Sequence, residues 1–234
     1  MGEVGMFKPV NKIGEMLVSS RSLAEYRRMF RLTGQDLSRS IVDCPGGAAS
    51  FTAEVNGAGG RVTACDPMYR EDAAIGELSL ADMRRANQYQ RANPDEYVWT
   101  FFADPDEYLA SRTRAVELFS RHMTEHPDSY VVASLPTLPF ADQTFDLALS
   151  SHLLFAYADR LDRDFHLDSI RELARVAAEV RVFPLVPFGF PDNPDLPVVV
   201  GELNRGGLRA ELVGVDYELQ RGADTMLRVV RPAV

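Results

Sequence analysis

Two aspartates, Asp43 and Asp66, stand 23 positions apart, each closing a short apolar run, and the small-residue stretch Cys44-Pro45-Gly46-Gly47-Ala48-Ala49-Ser50 follows the first. A buried strand ending at Asp43 delivers an acid into a tight loop, and the helix after that loop opens with free backbone N–H groups. A second strand, ending Ala64-Cys65-Asp66, sets another acid beside it. Two carboxylates at the C-terminal edges of neighbouring parallel strands can grip an amino group and a ribose diol, and small loop residues let a ligand approach the backbone. A third candidate, His152, follows Ser150-Ser151 at the end of another apolar run. Its imidazole has the range to take a proton from a bound acceptor, and its alternative reading is a packed, hydrogen-bonded histidine.

The dinucleotide fingerprint G-x-G-x-x-G also precedes an acid by about 20 residues. Counted from Gly46, its three positions read Gly46, Ala48 and Phe51, and Phe cannot stand where a helix must press close on a strand. A negative charge at Asp43 opposes a pyrophosphate but suits the ammonium of an amino-acid tail. Charge and spacing favour a cationic, amino-acid-bearing nucleoside, of which S-adenosylmethionine (SAM) is one.

On these residues the chain resembles the class I SAM-dependent methyltransferases. Asp43 matches the acid of the family's first motif, Gly47 its central glycine and Asp66 its ribose-binding acid, while Pro45 and Ala49 stand where the outer glycines fall. The segment Leu138-Pro139-Phe140-Ala141-Asp142-Gln143-Thr144-Phe145-Asp146 looks like the one leading into the family's fourth strand. The two matches span roughly residues 40–183. The resemblance implies SAM as cofactor and a binding set of Asp43, Pro45, Gly47, Ala48, Asp66, Pro67, Met68, Ser134, Leu135 and Ser150. Gly47 and Ala48 would flank the methionine tail, Pro67 and Met68 would pack on adenine, and Ser134 and Leu135 would meet its edge. Asp43 has two readings, a direct contact to the amino group or a brace for the loop. His152 is the catalytic candidate, with Tyr157 and His166 as further pocket residues.

Composition narrows the choice. A chain of 234 residues, 46% hydrophobic, can build one sizeable core, and a single domain over 1–234 is expected. Formal charge is −9; residues 67–128 hold twelve acids against seven arginines, and Lys8 and Lys12 are the only lysines. A nucleic-acid binder should show a basic face, so no nucleic-acid partner is expected. Cys44 and Cys65 end the first two strands and read as small half-buried thiols in a reducing compartment. No His/Cys cluster has zinc spacing, so no metal is expected. The N-terminus shows no signal-peptide pattern and no apolar run reaches the ~18–20 residues of a membrane span, which predicts a cytoplasmic protein without a membrane partner.

The elements that would position these groups can be read in order. Residues 1–39 form an N-terminal arm and two helices, the first opened by the capping box Ser22-Leu23-Ala24-Glu25 and running to about Leu32, the second over Gln35–Arg39. Strands are expected at Ser40–Asp43, Arg61–Cys65, Tyr130–Ala133, Phe145–Ser150 and Val180–Leu185. A helix running to about Val55 lies between the first two, and an amphipathic one over Asp168–Ala178 precedes the fifth. Residues 67–128 are too long for a simple crossover and read as an insertion of two or three helices, Ser79–Ala92 and Asp104–Glu125 with Pro94–Phe102 as the optional third, holding Trp99. Pro197–Asn204 has helical character, and Leu208–Glu218 and Thr225–Arg231 alternate as a terminal hairpin. The fold class is therefore α/β: a Rossmann-like doubly wound sheet of about seven strands, mostly parallel, with a C-terminal antiparallel hairpin and a helical insertion after the second strand.

The expected activity is methyl transfer from SAM to a small-molecule acceptor, with the 67–128 insertion shaping acceptor choice. Two alternatives stand beside it: a non-catalytic module that binds SAM or its demethylated product and acts through a partner, and a related aminopropyl-type transferase.

Overall fold

A computed structural model describes residues 15–190 and 193–232. The first part of the expected N-terminal arm, with Lys8 and Lys12, lies outside the described residues. Seven strands form one sheet in the order β3-β2-β1-β4-β5-β7-β6. Their ranges are β1 Ser40–Asp43, β2 Arg61–Cys65, β3 Tyr130–Val131, β4 Phe145–Ser151, β5 Ala177–Phe183, β6 Arg209–Gly214 and β7 Thr225–Val230. Strands β1 to β5 pair in parallel, and β7 runs antiparallel to both β5 and β6. The order reverses between β1 and β4, where Asp43 lies opposite Leu149. In an open α/β sheet the crevice beyond the strand ends at such a reversal is where ligands bind.

Period-two alternation places side chains on both faces of the sheet. Val42, Ala148, Val180 and Val182 pack with helix α6 (Arg163–Val176) and helix α7 (Leu196–Arg205). Ile41, Leu147 and Leu149 pack on the other face with α1 (Leu23–Met29) and α3 (Phe51–Gly57), which is why Ile41-Val42 and Leu147-Ala148-Leu149 are unbroken apolar runs. The Ser22–Glu25 capping box forms as read, and a second one, Thr33 with Asp36, opens the short helix α2 (Gly34–Leu37).

The insertion folds as two helices of 21 residues each, α4 (Asp72–Ala92) and α5 (Pro105–Glu125), without the optional third. Asp104 caps α5 by accepting from the N–H groups of Asp106 and Glu107 at 2.8 Å. The expected helix over Pro94–Phe102 is absent: a single 3-10 turn at Pro94–Glu96 gives way to extended chain. The aromatic and β-branched run Tyr97-Val98-Trp99-Thr100-Phe101-Phe102 is a poor helix former, and it is held instead by Val98 N–H donating to Leu219 O at 2.8 Å. Helix α6 begins five residues earlier than its apolar period suggested, because Asp162 caps it through Phe165 N–H. Strand β5 follows α6 without a loop and contains Glu179 and Arg181, charges tolerated because each pairs with the other and Glu179 also with Arg228.

Candidate functional site

The ends of β1, β2, β3 and β4 open on one cavity of about 440 Å³, a volume typical of small-molecule sites at ~300–1,000 Å³. Its base is the loop after β1. Gly46 lies against β2, where a Cβ would come within 2.4 Å of the Tyr69 hydroxyl and 2.9 Å of Ala64 Cβ. Gly47 turns with φ +53°, a conformation that favours glycine, and a Cβ there would meet Ser19 O at 2.6 Å. Size and backbone freedom therefore select both glycines.

Asp66 lines the cavity and is 6% exposed. Its Oδ2 accepts from Gly47 N–H at 3.0 Å and its Oδ1 from Met68 N–H at 2.9 Å, so it ties the loop after β1 to the turn after β2. A carboxylate offers about four lone-pair sites, which leaves acceptor capacity for a diol. Burial raises its proton affinity above the ordinary carboxylate range, against those two hydrogen bonds. Asp43 lies behind the loop, outside the lining, and is 1% exposed. Its Oδ2 accepts from the Tyr26 hydroxyl at 2.9 Å and its Oδ1 has no partner. Burial pushes Asp43 up to about 8; the Tyr26 bond opposes this and the nearby Asp66 adds to it. Arg21 acts on Asp43 through space without bonding to it, and two neighbouring buried acids with no bonded cation are an arrangement that a cationic ligand would relieve.

The chain before α1 crosses this loop. Ser19 O accepts from Ala48 N–H at 3.0 Å and Arg21 O from Ser50 N–H at 2.9 Å. Val18 N–H donates to Asp82 of α4 at 2.8 Å, and Leu17 N–H to the Tyr157 hydroxyl at 2.7 Å. Residues Glu15 to Ser19 thereby form one wall of the cavity, braced by the insertion on one side and the loop after β4 on the other.

His152 is in the left-handed region at φ +55°, fixed by its N–H donating to Phe183 O at 2.7 Å, and its Nδ1 lies 2.9 Å from Ser151 Oγ. Burial, then the charges of Arg21 and Arg112, hold it well below the ordinary histidine range, so the ring is neutral at pH 7. It lines both the large cavity and a smaller chamber of about 40 Å³ beyond it, as do Leu17, Ser19 and Tyr157. The rest of that chamber comes from the insertion, from the segment after β5, from the C-terminal hairpin, and from Arg21.

Of the residues read from sequence, Pro45, Gly47, Asp66, Pro67, Met68, Ser134, Leu135 and His152 share the large cavity. Three do not reach it. Ala48 is fully buried against Ala64, Tyr69 and Ile75, since its loop turns that side chain towards α5. Ser150 points into the sheet interior, with a buried Oγ that has no partner, because strand alternation gives the cavity to Ser151. Asp43 sits one layer below, as already described. His166 is buried, held at about 4 by that burial, and packs on Phe155 at 4.7 Å, away from the cavity. Trp99 packs between Tyr97 and Tyr108 as part of the scaffold. The residues missed from sequence are Arg21, Asp82, Gln90 and Gln220, which carry no motif and meet only in the fold. Among the described residues no group of three His, Cys, Asp or Glu side chains is placed to hold a metal ion, and no helix is long and apolar enough to cross a membrane.

No protein-family model matches the chain. It is similar to an uncharacterized protein of Methanocaldococcus jannaschii, at 28% identity over 219 residues covering 93% of this chain and 97% of that one. Among solved structures it is similar to the N-methyltransferase NodS of Bradyrhizobium japonicum (13% identity, 90% of this chain and 97% of that one, TM-score 0.45). It is also similar to a SAM-dependent methyltransferase of Aquifex aeolicus (14% identity, 83% of each chain, TM-score 0.42). A Pyrococcus horikoshii protein assigned provisionally to RNA methylation resembles it at 9% identity, over 90% of this chain and 85% of that one, with a TM-score of 0.45.

Proposed function

We propose that this chain is a SAM-dependent methyltransferase acting on a small molecule. The observation that carries the reading is the pair of buried acids at the sheet's reversal point, one of them lining a cavity of about 440 Å³. The donor set fits the cofactor. Asp66 has acceptor capacity for the ribose diol, Pro67, Met68 and Leu135 supply apolar surface for a purine, and the Asp43–Asp66 pair favours a cation over a pyrophosphate. When bound, SAM supplies a methyl group already activated on a cationic sulfur.

The protein's own work is then placement. Leu17, Ser19 and Tyr157 line both the large cavity and the smaller chamber and would hold an acceptor against the bound cofactor. The acceptor's proton would leave to solvent or to His152, the imidazole that lines both cavities. His152 is neutral, but burial and two guanidinium charges hold it a weak base in the ligand-free protein. The aminopropyl alternative needs carboxylates where a polyamine would bind, but the chamber next to His152 presents Arg21 instead. Net charge of −9 and the small size of that chamber support a small molecule over RNA.

Calorimetry tests the cofactor reading. SAM and its demethylated product are expected to bind and NAD is not. Asp66→Ala should weaken binding by about 1.5–3 kcal/mol, the scale of a hydrogen bond to a charged group. Binding of SAM without methylated product from any acceptor would favour the non-catalytic module.

A further inference from the structure

Arg21 is 7% exposed and lines the small chamber beside His152. Its Nη1 donates to Ser19 Oγ, its Nε is buried without a partner, and among the described residues it forms no ion pair with a carboxylate. The nearest acids reach it only through space, and neither bonds to it directly. Glu25 is taken by Arg112, which donates to both of its oxygens, and by the Tyr217 hydroxyl at 2.9 Å. Asp43 makes no hydrogen bond to it: its Oδ2 accepts from the Tyr26 hydroxyl and its Oδ1 has no partner. One guanidinium is thus left buried with no carboxylate bonded to it among the described residues. Taking a charge out of water costs several kcal/mol unless it is paired, so such a group is retained where a ligand supplies the missing charge.

The rest of the chamber specifies more than charge. Gln220 Nε2 donates to Pro187 O at 2.6 Å and to Phe190 O at 3.2 Å, which fixes the amide and leaves its buried Oε1 facing no donor. Gln90 Oε1 is likewise buried without a partner. Both residues line the chamber, where Tyr97, Tyr108, Tyr157, Phe183 and Phe188 supply flat apolar walls. A water needs roughly 10–15 Å³ of such space, so about 40 Å³ admits an acid group or a small ring edge but not a nucleotide.

Resting on the methyltransferase reading, we propose that the acceptor is a small planar carboxylic acid, its carboxylate seated on Arg21 and its hydroxyl or amino donor met by Gln220 or Gln90. A bound carboxylate would offset one of the two guanidinium charges that, after burial, hold His152 below the ordinary histidine range. Correct substrate would in that way improve the base, and a neutral analogue would not.

The test is calorimetry on the full chain, with and without saturating S-adenosylhomocysteine, using 4-hydroxybenzoate, the neutral 4-hydroxybenzamide and inorganic phosphate. The acid is expected to bind at least about tenfold more tightly than the amide, and Arg21→Gln should erase that difference, as loss of a charge-assisted hydrogen bond would. Arg21→Gln should leave S-adenosylhomocysteine affinity within about threefold. Should Arg21→Gln fail to fold, Gln220→Leu keeps the guanidinium and is expected to weaken 4-hydroxybenzoate relative to benzoate. Phosphate binding more tightly than the acid would overturn the carboxylate assignment. Equal affinity for acid and amide would overturn the proposal outright, as would a tenfold loss of S-adenosylhomocysteine affinity in Arg21→Gln. If S-adenosylhomocysteine does not bind but Arg21-dependent acid binding persists, the anion seat stands and the methyltransferase reading falls.

Discussion

Replacing Asp43 by Asn should flatten the dependence of stability on pH. In the folded protein the Asp43 carboxyl titrates at about 8, whereas an unfolded aspartate titrates near ~3.9. Between those values the folded state holds a proton that the unfolded state has released, so stability falls as pH rises, by about 1.4 kcal/mol per pH unit. From pH 5 to pH 8 this group alone removes roughly 3.5 kcal/mol, because its folded state begins to ionise only near the upper limit. Asparagine copies the neutral acid: its carbonyl can accept from the Tyr26 hydroxyl, and it cannot ionise. Urea denaturation at intervals across pH 5–8, followed by far-UV circular dichroism, gives the two stability profiles. The wild type should descend relative to Asp43→Asn by that amount, with the gap widening towards pH 8. Asp66 is also raised by burial and adds a descent common to both proteins. Parallel profiles would mean that Asp43 is already ionised in the folded state, and the argument for a cation-seeking acid pair would go with it.

Two further outcomes follow from the same geometry. Glu25→Gln leaves the fully buried Arg112 without its counter-charge and should cost about 3–5 kcal/mol in the same denaturation assay, whereas replacing Glu25 and Arg112 together by leucines should cost much less. Methyl transfer should survive excess chelator, since no metal-ligand cluster forms among the described residues; activity lost to chelation and restored by a divalent ion would refute this.

Much of the cavity was legible because its parts are local. An acid ending an apolar strand, a loop of small residues and a second acid ending the next strand are all visible within one βαβ unit, and β4 carries its own leading motif. Which face a side chain takes was harder to read. Ser150 and Ala48 sit beside residues that do line the cavity, but strand alternation and the turn of the loop send them inward. The second chamber was not legible at all. Arg21, Gln90 and Gln220 come from the start, middle and end of the chain, and none has a spacing that marks it. The stretch around Trp99, the single tryptophan, is extended scaffold, because its helix propensity is poor and its neighbouring backbone pairs with the segment before β7.

Glu25 gives the molecule a constraint on how it can diversify. The residue closes the capping box of α1, ion-pairs with Arg112 in the middle of α5, and accepts from Tyr217 ahead of the last strand. Removing residues 67–128, or exchanging them for those of another protein, would therefore strand a buried carboxylate in a segment far from the cut. The two helices are not a detachable cassette. New acceptor preferences should arise by single substitutions in the chamber walls, at positions such as Met83, Ala86 or Gln90, and not by recombination of whole segments.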